Sequence, residues 1–162
     1  MPIKLPTISG WLKDVYDNFV LLAPFFSGSA GLGGLRVARF SYDLATAGNR
    51  TVAAHGTGVS LPAYAIIVGG FVDVNTAITG DTNATLALSV EGANDIISAA
   101  AVSGAPWSTV GRKAIVPKAN TPESTSVKTT AAREITFTVA TAALLTGKVT
   151  GYLYYVEGVA SA

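Results

Sequence analysis

Two stretches of this chain alternate apolar and polar positions strictly. In residues 83–91 (NATLALSVE), Ala84, Leu86, Leu88 and Val90 fall on one side, and Thr85, Ala87, Ser89 and Glu91 on the other. In residues 134–140 (EITFTVA), Ile135, Phe137 and Val139 alternate with Glu134, Thr136 and Thr138. A period of two marks a strand with one buried face, because successive side chains point to opposite sides of the sheet. Weaker forms of the pattern predict strands at 35–44, around 51–60, at 95–101, around 113–116 and at 148–157. The stretch 61–80 (LPAYAIIVGGFVDVNTAITG) is the most apolar, and between 63 and 74 Asp73 is its one charge. Read as one continuous strand, it puts Tyr64, Ile66, Val68, Val72 and Val74 on one face. Ala65, Ile67, Gly69, Phe71, Asp73 and Asn75 then form the other, which turns polar only at its end. Both faces are therefore expected to be covered over most of the run, the second by the N-terminal arm or by a neighbouring subunit. Gly69 and Gly70 provide for a bulge or bend. Eight or so strands separated by turn residues predict an all-β fold, a jelly-roll-like antiparallel β-sandwich.

The pattern changes near the N-terminus. Trp11, Leu12, Val15, Tyr16, Phe19, Val20 and Leu22 recur at three- and four-residue spacing, with Lys13, Asp14, Asp17 and Asn18 between them. That spacing predicts a short amphipathic helix, started by Ser9 and ended by Pro24. The preceding MPIKLPTIS, with two prolines, reads as extended, and SGSAGLGG at 27–34 reads as a hinge. The chain is thus expected to divide into an arm at 1–33, containing the short helix, and a β-sandwich body at 34–162. Within the body, residues 103–133 contain Pro106, Pro117 and Pro122 and much Ser and Thr, which predicts a long loop. Loops of that length are usually functional or disordered, and this one is placed to grip a neighbour.

Composition sharpens the picture. Of 162 residues, 49% are hydrophobic and 13% charged, about half the ~25% charge of an ordinary soluble domain. So little charge coats an isolated monomer poorly. No apolar run reaches the ~18–20 residues of a membrane helix, so no membrane partner is expected and other subunits are the expected cover. The net charge is +1 and the basic residues are scattered, which argues against nucleic acid. There is no cysteine, so disulfides and thiolate metal sites are excluded. Residues 19–26 (FVLLAPFF) resemble the apolar core of a secretion signal. Asp14 and Asp17 precede them and Pro24 interrupts them, so they read as part of the mature chain.

Catalytic machinery is not expected, and neither is a cofactor or metal. His55, the single histidine, lies in AAHGTG at a strand end or turn, and no Gly-x-Ser-x-Gly elbow is present. The glycines at 28–34 follow no strand and fit no phosphate-binding spacing. Asp81 and Asn83 in TGDTNAT have oxygen ligands at a spacing used by calcium loops, but such residues populate turns for backbone reasons, and the turn reading is preferred. Asp14 and Asp17 read as a solvated helix face. Trp107 follows Pro106 with Arg112 and Lys113 close behind; such a tryptophan either stacks on a sugar or base or pins its own loop. Tyr152 and Tyr154 share one side of the last strand, as a binding platform or a subunit interface, and Tyr155 lies on the other.

Several stretches carry a resemblance. The strand entry LPAYAII, then VDVNTAITGDTNATLALSVEGANDI, and the closing ITFTVATAALLTGKVTGYLYYVE resemble small virion structural proteins of tailed bacteriophages, of the capsid cement or decoration type. They span residues 42 to 157, without the arm and largely without the loop at 103–133. The resemblance implies a homotrimeric β-sandwich on the outer surface of the capsid that binds the major capsid protein, and it supplies no motif from which single functional residues carry over. The subunit or capsid contacts expected here are Trp11, Leu12, Val15, Tyr16 and Phe19 of the arm, with Trp107, Arg112 and Lys113 of the loop. The alternative for the arm is packing on its own body. The alternative function is a receptor- or glycan-binding head of a tail or capsid fibre.

Overall fold

The computed structural model describes residues 34–118 and 126–159. The arm, its predicted helix and residues 119–125 lie outside the described residues. Eight strands follow in order: β1 (Arg36–Asp43), β2 (Ala54–Leu61), β3 (Ala65–Gly80), β4 (Thr85–Ser89), β5 (Ile97–Ala101), β6 (Gly111–Ile115), β7 (Arg133–Ala140) and β8 (Leu144–Glu157). They form two four-stranded antiparallel sheets, ordered β1-β8-β3-β6 and β2-β7-β4-β5. The pairings are nested: β4 with β5, β3 with β6, β2 with β7 and β1 with β8. A long hairpin wound over on itself produces this order, joined laterally by β3·β8 and β4·β7. The fold is an all-β jelly roll, as the alternation predicted.

The core lies between the sheets. Leu86, Leu88, Ile135, Phe137 and Val139, the inward positions of the two alternating stretches, are buried. Phe137 is central: Tyr42 stacks on it at 4.5 Å between ring centroids, Phe40 lies at 5.9 Å, and Trp107 meets it edge-on at 6.2 Å.

Two expectations are corrected. First, β3 does not keep one face throughout. Ala65 and Ile67 point into the core, and so do Val72, Val74 and Ile78. The two sets differ in parity because the β8 register slips by one residue between Ile67 and Gly69, leaving Val68 as the extra residue of a bulge. Ile66 and Val68 therefore do not share the buried face of Val72 and Val74. The bulge needs glycine at 70, where φ is +157° and a Cβ would lie 2.2 Å from the Tyr152 carbonyl oxygen.

Second, the segment expected as a long loop at 103–133 returns to the body at each of its described parts. Trp107 is buried, and β6 pairs with β3 near the strand predicted around 113–116. Beyond residue 125, the Val127 carbonyl accepts from the Ile67 N–H at 2.9 Å, and Thr129 is fully buried. The Thr129 hydroxyl accepts from the Ala65 N–H at 2.8 Å and donates to the Pro62 carbonyl at 2.7 Å. Residues 127–129 thus occupy the edge of β3 ahead of β6.

Candidate interaction face

The outer sides of the two sheets differ in chemistry. On the β2-β7-β4-β5 sheet, Ala54 and Gly56 of β2, Thr136 and Thr138 of β7 and Thr85, Ala87 and Ser89 of β4 lie side by side, all small, with the Glu134 carboxylate lying over Gly56 at one end. On the β1-β8-β3-β6 sheet several outward positions are large and aromatic or charged: Arg39, Phe71, Asp73, Arg112, Tyr152 and Tyr154.

Register builds this second face. Arg39 on β1 stands opposite Tyr152 on β8, Tyr152 opposite Phe71 on β3, and Phe71 opposite Ala114 on β6. The next row is Ser41, Thr150, Asp73 and Arg112. Directly opposed residues of antiparallel strands project to the same side, so these rows share one surface. Phe71 and Tyr152 stack at 4.7 Å between centroids, and Tyr154 meets Phe71 edge-on at 6.1 Å. From the β6 side the Arg112 guanidinium lies 4.2 Å from the Phe71 centroid, and from the β1 side that of Arg39 lies 6.0 Å from the Tyr152 centroid. Arg112, Phe71, Tyr152 and Arg39 form a ladder with one rung from each strand. Stacked rings contribute about 0.5–1.5 kcal/mol beyond area burial, and the guanidinium groups over them add a weaker attraction, so the ladder staples the sheet as well as shaping its surface.

The charges of this face are mostly paired. Arg112 donates to both carboxylate oxygens of Asp73, at 2.9 and 3.1 Å, which holds the Asp73 carboxyl below its usual range. Lys148 pairs with Asp43 at 3.0 Å, and at the strand ends Arg36 and Glu157, in phase with the core-side positions, pair at 2.9 Å. The Asp43 carboxyl is held low first by the Ala45 N–H and then by Lys148. Arg39 has no carboxylate partner among the described residues. At the other end the surface is apolar: Val37, 55% exposed, stands opposite Tyr154, and Ile66 opposite Val156.

The residues singled out from sequence are dispersed. Trp107 is fully buried, its indole N–H donating to the Leu86 carbonyl at 2.9 Å, so its ring pins the loop and offers no contact to a partner. Arg112 is exposed on the aromatic face. Lys113 stands opposite buried Val72, on the core side of the edge strand, with its ammonium donating to Thr109 Oγ1 at 2.9 Å. Trp11, Leu12, Val15, Tyr16 and Phe19 lie outside the described residues. Tyr152 and Tyr154 share the outward side as expected, and Tyr155 packs against the core. His55 Nε2 lies 2.8 Å from the Thr51 carbonyl oxygen. Asp81 and Asn83 form a turn, with the Ala84 N–H donating to the Asp81 carbonyl and Asn83 at φ +68°. The turn borders a groove of about 520 Å³ that Ser103 and Ser108 also line. Among the described residues, no group of three or more His, Cys, Asp or Glu is placed to hold a metal ion.

Sequence reasoning missed the roles of Phe71, Asp73 and Arg39. Their polarity pattern was visible, but the ladder depends on the registers of β3 with β6 and of β1 with β8, which no local signal carries.

No family model matches the chain, and no curated protein matches it in sequence. Solved structures do match in fold. A chain of the Cyanophage Pam1 capsid asymmetric unit aligns with TM-score 0.53 and 19% identity, covering 80% of this chain and 90% of that one. A chain of the capsid of Ralstonia phage GP4 aligns with TM-score 0.53 and 19% identity, covering 79% and 87%. A chain of the acidic stable capsid structure of Helicobacter pylori bacteriophage KHP30 aligns with TM-score 0.51 and 11% identity, covering 75% and 86%. At these identities the likeness is one of fold.

Proposed function

We propose that this chain is a non-enzymatic capsid cement, or decoration, protein of a tailed bacteriophage, which binds the major capsid protein on the outer surface of the head and stabilises it. The observation that carries the reading is the nested jelly roll, shared over at least 75% of the chain with chains from three phage capsid structures. Composition supports it independently, since 13% charge leaves much of the surface suited to protein contact. The aromatic face supplies such a surface, because Tyr, Phe and Arg are the residue types enriched where proteins meet.

In this reading the protein acts as a homotrimer, and Trp11, Leu12, Val15, Tyr16 and Phe19 of the arm contact a subunit or the capsid. Three arms on one assembly engage their targets together, and effective concentration raises avidity by ~10² to 10⁴ over a single contact. Arg112 remains a candidate contact. The glycan-binding alternative is weakened, because Trp107 is buried and the rings of Phe71 and Tyr152 stack on each other.

Quantitative mass spectrometry of the purified virion tests the proposal. Copies comparable in number to the major capsid protein are expected. A few copies per particle would assign the chain to tail, neck or fibre, and absence from the particle would end the virion reading.

A further inference from the structure

The four sheet edges are not equally protected. The edge strand β2 is interrupted by a register break between Gly56 and Ser60, with Gly58 at φ +75°. The edge strands β5 and β6 are five residues each; β5 carries its own register break, and β6 bears Arg112 and Lys113 and is followed by Pro117. Bulges, shortness, charge and proline are the devices that stop an edge from recruiting another strand. β1 carries charge at Arg36, Arg39 and Asp43 but lacks the other three devices. It is eight residues long, contains no proline or glycine, and pairs with β8 in unbroken register from Arg36 to Asp43.

The free side of β1 can be assigned. The Leu44 N–H, next after the strand, donates at 3.0 Å to the carbonyl of Gly147, the β8 residue that follows Asp43's partner Lys148 along the pairing. Main-chain groups repeat their direction every two residues, so even positions face β8 and Val37, Arg39 and Ser41 face away from it. The Asp43 carbonyl fits this assignment, since it accepts from the turn residues Thr46 and Asn49 instead of from β8. By this assignment the N–H and C=O groups of Val37, Arg39 and Ser41 point away from β8, and among the described residues no other strand pairs with β1. Beside them runs a groove of about 200 Å³ lined by Arg39, Phe40 and Ser41 of β1 and Thr57 and Val59 of β2. The side chain of Arg39 adds a guanidinium without a carboxylate partner at the middle of that edge.

From this arrangement we infer that the free edge of β1 receives an extended segment of a partner protein as an added strand, with an acidic residue of that segment paired to Arg39. The main-chain groups of residues 37, 39 and 41 supply affinity in the manner of strand addition, and the guanidinium selects a carboxylate. The partner's identity as the shell protein rests on the function proposed above; the acidic, extended chemistry of the segment rests on β1.

The test uses phage heads stripped of this chain and the full-length protein. Ser41→Pro removes one free-edge N–H and leaves the β8 pairing intact, since an outward-facing edge position tolerates proline. Arg39→Glu reverses the selecting charge. Each variant is expected to keep the wild-type melting temperature to within a few degrees and to lose at least tenfold in apparent affinity for the heads. Hydrogen exchange of wild-type protein over residues 35–43 is expected to be fast in the free chain and slowed on the heads. Failure of the wild-type chain to bind heads would sink the cement reading. Wild-type binding without protection at β1, and with both variants binding fully, would overturn this inference alone. Protection already present in the free protein would assign the edge to the chain's own arm or to a second copy and also overturn it. Should Ser41→Pro fail to fold, Arg39→Glu and the exchange measurement decide.

Discussion

Gly151 of β8 lies directly opposite Phe40 of β1, and the Phe40 ring fills the space that a side chain at 151 would need. A Cβ there would stand 2.1 Å from Phe40 Cζ. The ring cannot easily yield, being buried and packed 5.9 Å from Phe137. Gly151→Ala is therefore expected to cost about 1–3 kcal/mol through overpacking. Denaturant unfolding of the variant checks this, and unchanged stability would mean that the core accommodates the methyl group.

Trp107 is the second packing test. Trp107→Ala removes a fully buried indole and is expected to cost about 3–5 kcal/mol. Trp107→Phe keeps most of the ring but leaves the Leu86 carbonyl without its donor, at a cost of about 1–3 kcal/mol. The order of the two midpoints in urea is the readout. Equal midpoints would show that the hydrogen bond, and not the volume, carries the effect.

Acid stability has a defined direction. Glu91 accepts from Arg133 at 2.9 and 3.2 Å and from Thr130 at 2.7 and 3.1 Å. Those bonds, Arg133 first, lower its pKa from 4.5 to about 2. Because the folded value lies below the unfolded one, the contribution is complete above pH 4.5 and is lost as the pH falls toward 2. Glu91→Gln is expected to lower the melting temperature at pH 6 and to change it little at pH 2. Asp43 and Asp73 are also held low, so the variant keeps a reduced slope of the same sign. A difference that stays constant with pH would contradict the assignment.

The proposed role of the arm is tested by removing residues 1–30. Loss of avidity predicts that the truncated protein occupies stripped heads far less than the full chain, by one or more orders of magnitude in apparent affinity. Full occupancy after truncation would show that Trp11, Leu12, Val15, Tyr16 and Phe19 make no essential contact.

Strands and their buried faces were legible wherever the period of two ran unbroken. Leu86, Leu88, Ile135, Phe137 and Val139 all point inward as read. The face of β3 was misread because parity is fragile: the single extra residue at Val68 reverses every position before it, and the two glycines that announce a bulge do not say where the count slips. Trp107 was a candidate for two roles because a lone aromatic in a proline-rich segment looks the same from sequence whether it faces a partner or the core. The aromatic face was half legible. Tyr152 and Tyr154 were placed together by spacing alone, but their meeting with Phe71, Arg112 and Arg39 comes from long-range register.

The nested pairing of the strands also bears on how the protein is made. Of the nested pairs, only β4 and β5 are consecutive strands, and each outer pair closes a longer loop, until Arg36 meets Tyr155 across nearly the whole described chain. Contacts so distant in sequence must bear their loop-closure entropy before they contribute any stability, and folds dominated by such contacts reach the native state in milliseconds to seconds instead of microseconds. β1 is then among the last strands to be secured. A nascent chain would spend that interval with the apolar run of β3 and the edge of β1 open to other copies, so its yield should depend on concentration and temperature during synthesis more than its final stability suggests.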